Sequence, residues 1–238
     1  MKKETIVVFD FDGTITRQDT LLEFIKFSRG NRRFYFGLLF FSPLLVAMKL
    51  KIYPNGKAKQ RLFSYFYKGI SIEKFNYWGK AFRSEVDKAV YPKALEALNS
   101  HRENGDKVII ISASVENWIK PWSEQAGVET VLATKIEVDK NNLLTGKFLT
   151  KNCYGQEKVN RLLEELPNRS DYRLVVYGDS LGDRELIEFA DTIKKKTGNL
   201  SNKTSRKYLP PICLCPIRRS ASKAKSHSPY RCNRFLFR

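Results

Sequence analysis

Two carboxylates one residue apart follow the first apolar segment of the chain. Residues 6–14 read Ile-Val-Val-Phe-Asp-Phe-Asp-Gly-Thr, so Asp10 and Asp12 come directly after an apolar run. The run predicts a buried strand of a parallel sheet, and open α/β sheets bind ligands at the carboxyl ends of their strands. Two carboxylates that converge there repel each other unless a cation or a shared proton separates them. A hard cation such as Mg²⁺, which takes oxygen ligands, could separate them, and an ionised aspartate beside it can attack phosphorus. An ordinary Asp-Gly turn is the alternative for this segment taken alone.

A second acidic pair follows an apolar segment near residue 180. Residues 174–183 read Leu-Val-Val-Tyr-Gly-Asp-Ser-Leu-Gly-Asp, which places Asp179 and Asp183 after a predicted strand. If the chain becomes helical at Leu181, the spacing of four puts Asp183 one turn beyond Asp179, directed back towards the strand end.

A hydroxyl and a lysine complete the set of candidate groups. Ser112 ends the apolar segment of residues 107–111, and Lys158 lies near the start of a predicted helix. Phosphoryl transfer requires an in-line nucleophile and groups that neutralise charge on the phosphoryl oxygens. Ser112 could instead start a turn, and Lys158 could be an exposed helix lysine, with Lys151 as the alternative cation.

The order of these motifs resembles that of the haloacid dehalogenase-type phosphohydrolases, subfamily IB, the branch that contains the phosphoserine phosphatases. The first motif is Asp-Phe-Asp-Gly-Thr at residues 10–14, the second is Ser112, the third is Lys158, and the acidic fourth is residues 178–183. The resemblance implies an α/β fold with a doubly wound, parallel, Rossmann-like sheet and a helical cap inserted after the first strand. Strands that alternate with helices along the chain favour the same architecture.

The resemblance also assigns roles to the four aspartates. Asp10 would be the nucleophile that becomes phosphorylated, and Asp12 would be the general acid that protonates the leaving alcohol and later the base that activates water. Mg²⁺ would be the cofactor, held by Asp10, the backbone carbonyl of Asp12 and Asp179, with Asp183 as a further ligand or an anchor of the ligands.

Five other residues would bind the substrate. Ser112, Lys158 and Thr14 would hold the phosphoryl group, while Arg61 and Asp19 would contact the rest of the substrate from the cap. An exposed arginine without a substrate contact is the alternative for Arg61.

The expected substrate is a small phosphorylated metabolite like phosphoserine. Phosphoserine phosphatases usually have two glycines after the second-motif serine, where this chain has Ala113 and Ser114, and an asparagine where it has Gly182. These differences leave a phosphatidylglycerophosphate-type phosphatase as the alternative within the same branch.

The predicted cap covers residues 28–90, and helices are predicted at residues 20–27, 58–67 and 72–87. Its residues 34–48 carry no charge and are bracketed by basic residues on both sides (Arg32, Arg33, Lys49 and Lys51). The segment is shorter than the roughly 20 residues of a membrane span, and Pro43 is expected to interrupt a helix. A helical hairpin buried within the cap is one interpretation, and docking on an anionic membrane surface is the other.

The predicted catalytic core comprises residues 1–27 and 91–191, and a basic tail follows. The formal net charge of the chain is +18, and residues 192–238 hold thirteen Lys or Arg and no Asp or Glu. The tail is interpreted either as a disordered arm that binds nucleic acid or anionic lipid, or as the product of a reading-frame change near residues 191–196 that leaves the sheet without an edge strand. A nucleic-acid-binding protein is thus the second function class, although only the tail charge favours it.

The sequence leaves the oligomeric state open and indicates a cytoplasmic protein. Residues 1–5 are polar, which predicts no signal peptide before the first strand. The sequence also allows peripheral membrane contact through residues 34–48 and the tail.

Overall fold

A five-stranded parallel sheet forms the centre of the computed structural model, which describes residues 3–178 and 180–194. The described residues contribute seven strands: β1 (Glu4–Asp10), β2 (Lys107–Val115), β3 (Thr130–Thr134), β4 (Ile136–Val138), β5 (Leu144–Phe148), β6 (Tyr172–Tyr177) and β7 (Thr192–Lys194). The sheet has the order β3-β2-β1-β6-β7, and β4 and β5 form a separate antiparallel pair. The strand order reverses direction at β1, and such a switch point is where doubly wound sheets bind ligands.

Eight helices surround the sheet within the described residues: α1 (Thr20–Arg29), α2 (Asn31–Lys49), α3 (Asn55–Tyr67), α4 (Ile72–Ala89), α5 (Pro92–Glu103), α6 (Glu116–Gln125), α7 (Gln156–Glu165) and α8 (Arg184–Phe189). The first four follow one another between β1 and α5, and the predicted helices lie within α1, α3 and α4. The predicted cap boundary at residue 28 falls inside α1.

Both faces of the sheet are buried, as the alternation of side chains along β1 demonstrates. Val7 and Phe9 belong to one apolar cluster, and Ile6 and Val8 belong to a second cluster on the opposite face. All four side chains are at most 1% exposed. The predicted doubly wound α/β fold is therefore confirmed.

Helix α2 continues through a proline in its interior. Pro43 has no N–H, so the carbonyl of Leu39 loses its usual intrahelical donor. The hydroxyl of Ser42 donates a 2.8 Å hydrogen bond to that carbonyl, which provides the missing partner. The prediction of a hairpin over residues 34–48 is therefore wrong, because the residue before the proline supplies the hydrogen bond that the proline removes.

The prediction that this segment is buried is also wrong. Only Phe34 and Gly37 of α2 are buried. Helix α2 packs on α3 at Gly37, where a Cβ would lie 2.2 Å from Cζ of Phe66. The rest of the helix is exposed or half-buried. Within the described residues, no helix has the length and apolar character that a bilayer span requires.

The pair of β4 and β5 joins the helical insertion to the remainder of the fold. The backbone of Leu144 donates to the carbonyl of Ile70 and accepts from Gly69, both at 2.8 Å. Gly146 of β5 lies against Ser64 of α3, where an added Cβ would be 2.4 Å from the hydroxyl oxygen. The hairpin thus fixes α3 and the start of α4.

The far edge of the sheet is a strand of three residues. Thr192 to Lys194 pair in parallel with Val175 to Tyr177 of β6. The sheet therefore extends past Asp191, where the sequence pattern placed the end of the core, and it has the edge strand that the frame-change interpretation removes. Residues 195–238, which hold most of the predicted tail, lie outside the described residues.

Candidate functional site

The carboxyl ends of the three central strands meet at one edge of the sheet. Asp10 pairs in register with Ile111, the residue before Ser112, and Phe9 pairs with Tyr177 at the end of β6. The parallel register therefore brings the first, second and fourth sequence motifs to the same edge. Their proximity follows from the pairing of the backbone alone.

A tight turn follows β1 and carries the second carboxylate. The carbonyl of Phe11 accepts hydrogen bonds from the N–H groups of Ile15 and Thr16, both at 2.9 Å. Gly13 has a φ of +81°, a conformation that costs a glycine little. The chain leaves the regular strand geometry here, so Asp10 and Asp12 acquire separate hydrogen-bond partners.

Lys158 connects two of the predicted acidic residues. Its Nζ atom lies 2.6 Å from Oδ1 of Asp10 and 2.5 Å from Oδ1 of Asp183, and all three side chains are at most 7% exposed. The same Nζ atom donates to the carbonyl of Ile111 at 3.4 Å. One buried ammonium thus holds two carboxylates from different strand ends together.

Close glycine contacts position Lys158 and the fourth motif. Gly155, the residue before α7, has a φ of +63°, and its N–H donates a 2.9 Å hydrogen bond to the carbonyl of Gly182. At Gly178 a Cβ would lie 3.0 Å from Cγ of Asp183. These contacts bring the start of α7 and the turn after β6 together.

The second oxygen of Asp183 is also held. Oδ2 accepts hydrogen bonds from the backbone N–H of Ser180 at 3.1 Å and from its hydroxyl at 2.5 Å. Asp183 is completely buried. Its position is consequently fixed from both sides, by Lys158 on one oxygen and by Ser180 on the other.

A separate set of hydroxyl and amide groups holds Asp12. Oδ1 accepts from the N–H and the hydroxyl of Thr20, at 2.9 Å and 2.6 Å, and Oδ2 accepts from the hydroxyl of Ser114. The indole N–H of Trp118 donates to the Thr20 hydroxyl at 3.1 Å. The sequence did not indicate these partners of Asp12. Ser114 stood out only as a departure from the family pattern, although Ser112 and Ser114 lie two residues apart on β2.

Burial has the largest effect on the pKa values of Asp10 and Asp12. Burial raises the pKa of Asp10 to about 7, although the ammonium of Lys158 acts in the opposite direction. Burial and the nearby carboxylate of Asp19 also raise the pKa of Asp12 above its ordinary value. For Lys158, burial favours the neutral amine, but Asp10 and Asp183 outweigh it and raise the pKa of the ammonium. The lysine is therefore a permanent cation.

The two predicted hydroxyl ligands of phosphate are buried at the same edge. Ser112 is completely buried, and its Oγ atom accepts a 3.0 Å hydrogen bond from the N–H of Ser114. Thr14 is 3% exposed, and its Oγ1 atom has no hydrogen-bond partner in the part of the chain that the structure describes. An unpartnered buried hydroxyl is costly in the absence of a ligand, so Thr14 fits a position that awaits a polar group.

The two predicted cap residues differ in position. Asp19 caps the N-terminus of α1, accepting from the N–H of Leu21 at 2.9 Å, and it acts electrostatically on Asp12. Arg61 is exposed, and its guanidinium lies 5.2 Å from the ring centroid of Tyr53. Within the described part of the chain, Arg61 has no recorded hydrogen bond or ion pair with the catalytic candidates.

The donor atoms at this edge are of the kind that a hard divalent cation prefers. Asp10, Asp12 and Asp183 supply oxygen atoms, and the two buried carboxylates of Asp10 and Asp183 outnumber the one ammonium of Lys158 that lies between them. A divalent cation would offset that excess negative charge. Among the described residues, no three His, Cys, Asp or Glu side chains form a metal cluster. Asp179, the remaining predicted ligand, lies outside them.

The sequence of this chain is similar to those of known proteins. The model of the haloacid dehalogenase-like hydrolase family matches residues 7–188. Protein CicA of Caulobacter vibrioides is 31% identical over 188 residues, which cover 78% of this chain and 83% of that protein. The residues matched by the family model include the positions of all four sequence motifs.

Two solved structures share the fold. A protein with unknown function from Bordetella pertussis Tohama I is similar with a TM-score of 0.70 and 19% identity, covering 79% of this chain and 87% of that one. A structure described as a phospho-aspartyl intermediate analogue of phosphoserine phosphatase has a TM-score of 0.55 and 19% identity, covering 81% and 86%. At these identities the likeness concerns the fold.

Proposed function

Because the chain belongs to the haloacid dehalogenase-like hydrolase family, we propose that it is a Mg²⁺-dependent phosphomonoester hydrolase that acts through an aspartyl-phosphate on Asp10. The observation that carries the proposal is the buried contact of Lys158 with Asp10 and Asp183, with Asp12 held close by. The fold shared with a structure described as a phospho-aspartyl intermediate analogue supports the same chemistry.

The first step transfers the phosphoryl group to the enzyme. A carboxylate oxygen of Asp10 attacks phosphorus, the bond between phosphorus and the ester oxygen breaks, and the carboxyl of Asp12 gives its proton to the departing alcohol. The raised pKa of Asp12 suits this role, because it keeps the carboxyl protonated at higher pH. Thr20 and Ser114 orient the carboxyl.

The second step returns Asp10 to its free form. Asp12, now a carboxylate, takes a proton from water, the water oxygen attacks phosphorus, and the bond between phosphorus and Asp10 breaks to release phosphate. Lys158, Ser112 and Thr14 bind the phosphoryl oxygens in both steps. Bound Mg²⁺, held by Asp10, the Asp12 carbonyl, Asp179 and Asp183, would supply positive charge at the phosphoryl oxygens.

The proposed substrate is a small phosphorylated metabolite of the phosphoserine type. Helices α1 to α4 would form the cap over the site, with Asp19 near Asp12 as the cap residue that meets the substrate. Arg61 remains a candidate only if it leaves the ring of Tyr53 when substrate binds. Phosphoserine phosphatases usually have two glycines where this chain has Ala113 and Ser114. Specificity for phosphoserine itself is therefore a question for the substrate panel.

Phosphate release tests the proposal. The panel contains phosphoserine, sugar phosphates, nucleotides and phosphatidylglycerophosphate, each assayed with Mg²⁺ and with EDTA. We expect turnover that requires Mg²⁺ and that Asp10→Asn abolishes, while Asp171→Asn, a change at an exposed aspartate, leaves it intact. Folded protein that binds Mg²⁺ but releases no phosphate from any member would refute the proposal.

Trapping tests the covalent step by itself. A brief reaction with a ³²P-labelled substrate, quenched in acid, is expected to leave label on wild-type protein and none on Asp10→Asn. Label that persists in Asp10→Asn would assign the nucleophile to another residue. The matched Asp171→Asn protein should carry the same label as wild type.

A phosphatidylglycerophosphate-type phosphatase is the second candidate. The exposed apolar side of α2 is the observation that favours it, because such a surface suits contact with lipid. The panel separates the two candidates by the preferred substrate. Cytoplasmic location stays a prediction, which cell fractionation would test. A nucleic-acid-binding function, for which the tail charge is the sole argument, would be indicated by DNA or RNA binding that disappears when residues 195–238 are deleted.

A further inference from the structure

The outward side of α2 is a continuous apolar surface. Phe36, Leu39, Pro43, Val46 and Leu50 are spaced by three or four residues, so they share one side of the helix. Phe36 and Leu39 are 70% and 72% exposed. At a rise of 1.5 Å per residue, this stripe is about 21 Å long.

The surface is concentrated in one segment. Of the fourteen large hydrophobic side chains that are exposed in the described residues, seven lie between Tyr35 and Ile52. Single exposed apolar residues are ordinary on a protein surface, whereas a contiguous patch marks a contact with a partner or a membrane. The α2 surface, defined as the exposed apolar side chains of residues 35–52, is of the second kind.

The inner side of α2 packs on α3. Gly37 lets α2 approach Phe66 of α3 closely, and the ring of the half-buried Phe41 lies 5.3 Å from that of Tyr65. The inner side of α2 is thereby occupied. Among the described residues, no element covers the exposed side.

The charge around the α2 surface has one sign. Between Glu23 and Glu73 the chain has no acidic residue, and it has ten basic residues. Four of them bracket the stripe at its two ends and are exposed: Arg32, Arg33, Lys49 and Lys51. An apolar face with cations at both ends matches the boundary between acyl chains and anionic headgroups.

The same charge argues against a second copy of the chain as the partner. A symmetric contact would place two such surfaces face to face and bring their basic ends together. Like charges at close range oppose association. An anionic bilayer has the opposite sign and an apolar interior, so it satisfies both properties of the surface.

We propose that the α2 surface docks in the plane of an anionic lipid bilayer. Phe36, Leu39, Val46 and Leu50 enter the boundary between headgroups and acyl chains, and the flanking arginines and lysines contact lipid phosphates. The docking does not depend on the proposed hydrolase activity. It would set the cap helices at the surface from which a lipid substrate would come.

Vesicle binding by the full chain tests this proposal. We expect wild-type protein to sediment with vesicles of phosphatidylcholine and phosphatidylglycerol in equal amounts, and to leave vesicles of phosphatidylcholine alone unbound. Replacing Phe36 and Leu39 together with glutamine should weaken binding to the anionic vesicles by about tenfold or more. The matched control Tyr77→Gln, at an apolar residue 70% exposed on α4, should bind as wild type does.

The basic tail is the same in wild type and in the variants, so a difference in binding between them belongs to the α2 surface. Removing the charges of Arg32 and Arg33 by substitution with alanine should weaken binding by about fivefold per charge, and added salt should weaken it further. Arg83→Ala, at an exposed arginine of α4, is the matched control for charge.

A fluorescence measurement reports insertion directly. With Phe36→Trp, the added emission should shift to shorter wavelength on anionic vesicles and be quenched by brominated lipid, while Tyr77→Trp should do neither. Equal vesicle binding by wild type and the double glutamine variant would overturn the proposal. So would concentration-dependent self-association of wild type that the double variant abolishes, because the surface would then be a contact between copies.

Discussion

The hydroxyl of Thr20 and its backbone N–H both donate to the same oxygen of Asp12, at 2.6 Å and 2.9 Å. Thr20 is the first residue of α1, so the N-terminus of the helical insertion is directed at the proposed acid. Helix N-termini stabilise negative charge, which suits the carboxylate that Asp12 becomes after it gives up its proton. The link between insertion and site is therefore a hydrogen bond at the start of a helix.

Removing that hydroxyl should slow catalysis without weakening substrate binding. Thr20→Val keeps the shape of the side chain but loses the bond to Asp12 and leaves the indole N–H of Trp118 without its acceptor. We expect kcat to fall by about 10- to 100-fold, since hydrogen bonds to charged groups contribute about 1.5–3 kcal/mol, with KM nearly unchanged. Steady-state kinetics on the preferred phosphomonoester measures both constants.

The conservative variant provides the control for that experiment. Thr20→Ser retains the hydroxyl and should recover most of the activity that Thr20→Val loses. If both variants lose activity equally, the methyl group and its packing matter and the hydrogen bond to Asp12 does not. If neither loses activity, Thr20 has no part in orienting the acid.

Lys158 should contribute strongly to stability as well as to chemistry. Lys158→Met leaves the buried carboxylates of Asp10 and Asp183 without their cation, and breaking a buried pair in this way costs about 3–5 kcal/mol in the free energy of unfolding. Urea unfolding in EDTA measures the change. The matched control is Lys107→Met, whose partner Glu165 lies 4.0 Å away at the surface and for which we expect at most about 1 kcal/mol.

A second substitution tests the cause of that loss. Asp183→Asn removes one of the two carboxylate charges that Lys158→Met leaves unpaired. Adding it to Lys158→Met should therefore restore more than about 1 kcal/mol of the lost free energy of unfolding. A double variant that is less stable than Lys158→Met alone would mean that Lys158 acts by packing. The electrostatic explanation would then be wrong.

Sequence patterns were sufficient for the residues that sit at strand ends. Asp10 and Ser112 follow apolar runs on two paired strands, and parallel pairing brings such positions to one edge without any knowledge of side-chain packing. Thr20 and Ser114 were missed because their role depends on Asp12 turning away from the strand. A local pattern does not report the direction of that turn.

The position of α2 was left open by its sequence for a different reason. Its fifteen uncharged residues allowed both burial within the cap and docking on a membrane surface, because hydrophobicity does not specify whether a partner element exists to cover them. Pro43 indicated a break, but the adjacent Ser42 satisfies the carbonyl of Leu39. The edge strand at residues 192–194 was missed because three residues carry too little alternation to be recognised as a strand.

Gly37 should be more stabilising than alanine, contrary to the usual preference in helices. Replacing a glycine in a helix interior with alanine normally raises the free energy of unfolding by about 0.5–1 kcal/mol. Here the added Cβ would lie 2.2 Å from Phe66, a buried ring that has little room to move, so we expect a loss of about 1–3 kcal/mol. Thermal unfolding of Gly37→Ala measures it.

Replacing the ring of Phe66 with a smaller side chain should relieve the clash that Gly37→Ala introduces between α2 and α3. Phe66→Leu alone is expected to destabilise the fold, but its combination with Gly37→Ala should cost less than the sum of the two single changes. Strictly additive effects would show that α2 shifts away from α3 without resistance. In that case the packing of Gly37 on Phe66 would not hold α2 in place.

Cys153 should make stability fall between about pH 9 and pH 11. Burial raises the pKa of this thiol from 9.0 to about 11, so in that interval the unfolded chain loses a proton that the folded chain keeps. The unfolded state then gains stability with rising pH, and the free energy of unfolding falls by roughly 2–3 kcal/mol across the interval. Cys153→Ala shares every other titrating group, so the difference between the two urea-unfolding curves at pH 8, 9, 10 and 11 isolates the thiol. Parallel curves would mean that Cys153 ionises as readily in the folded protein as in the unfolded chain.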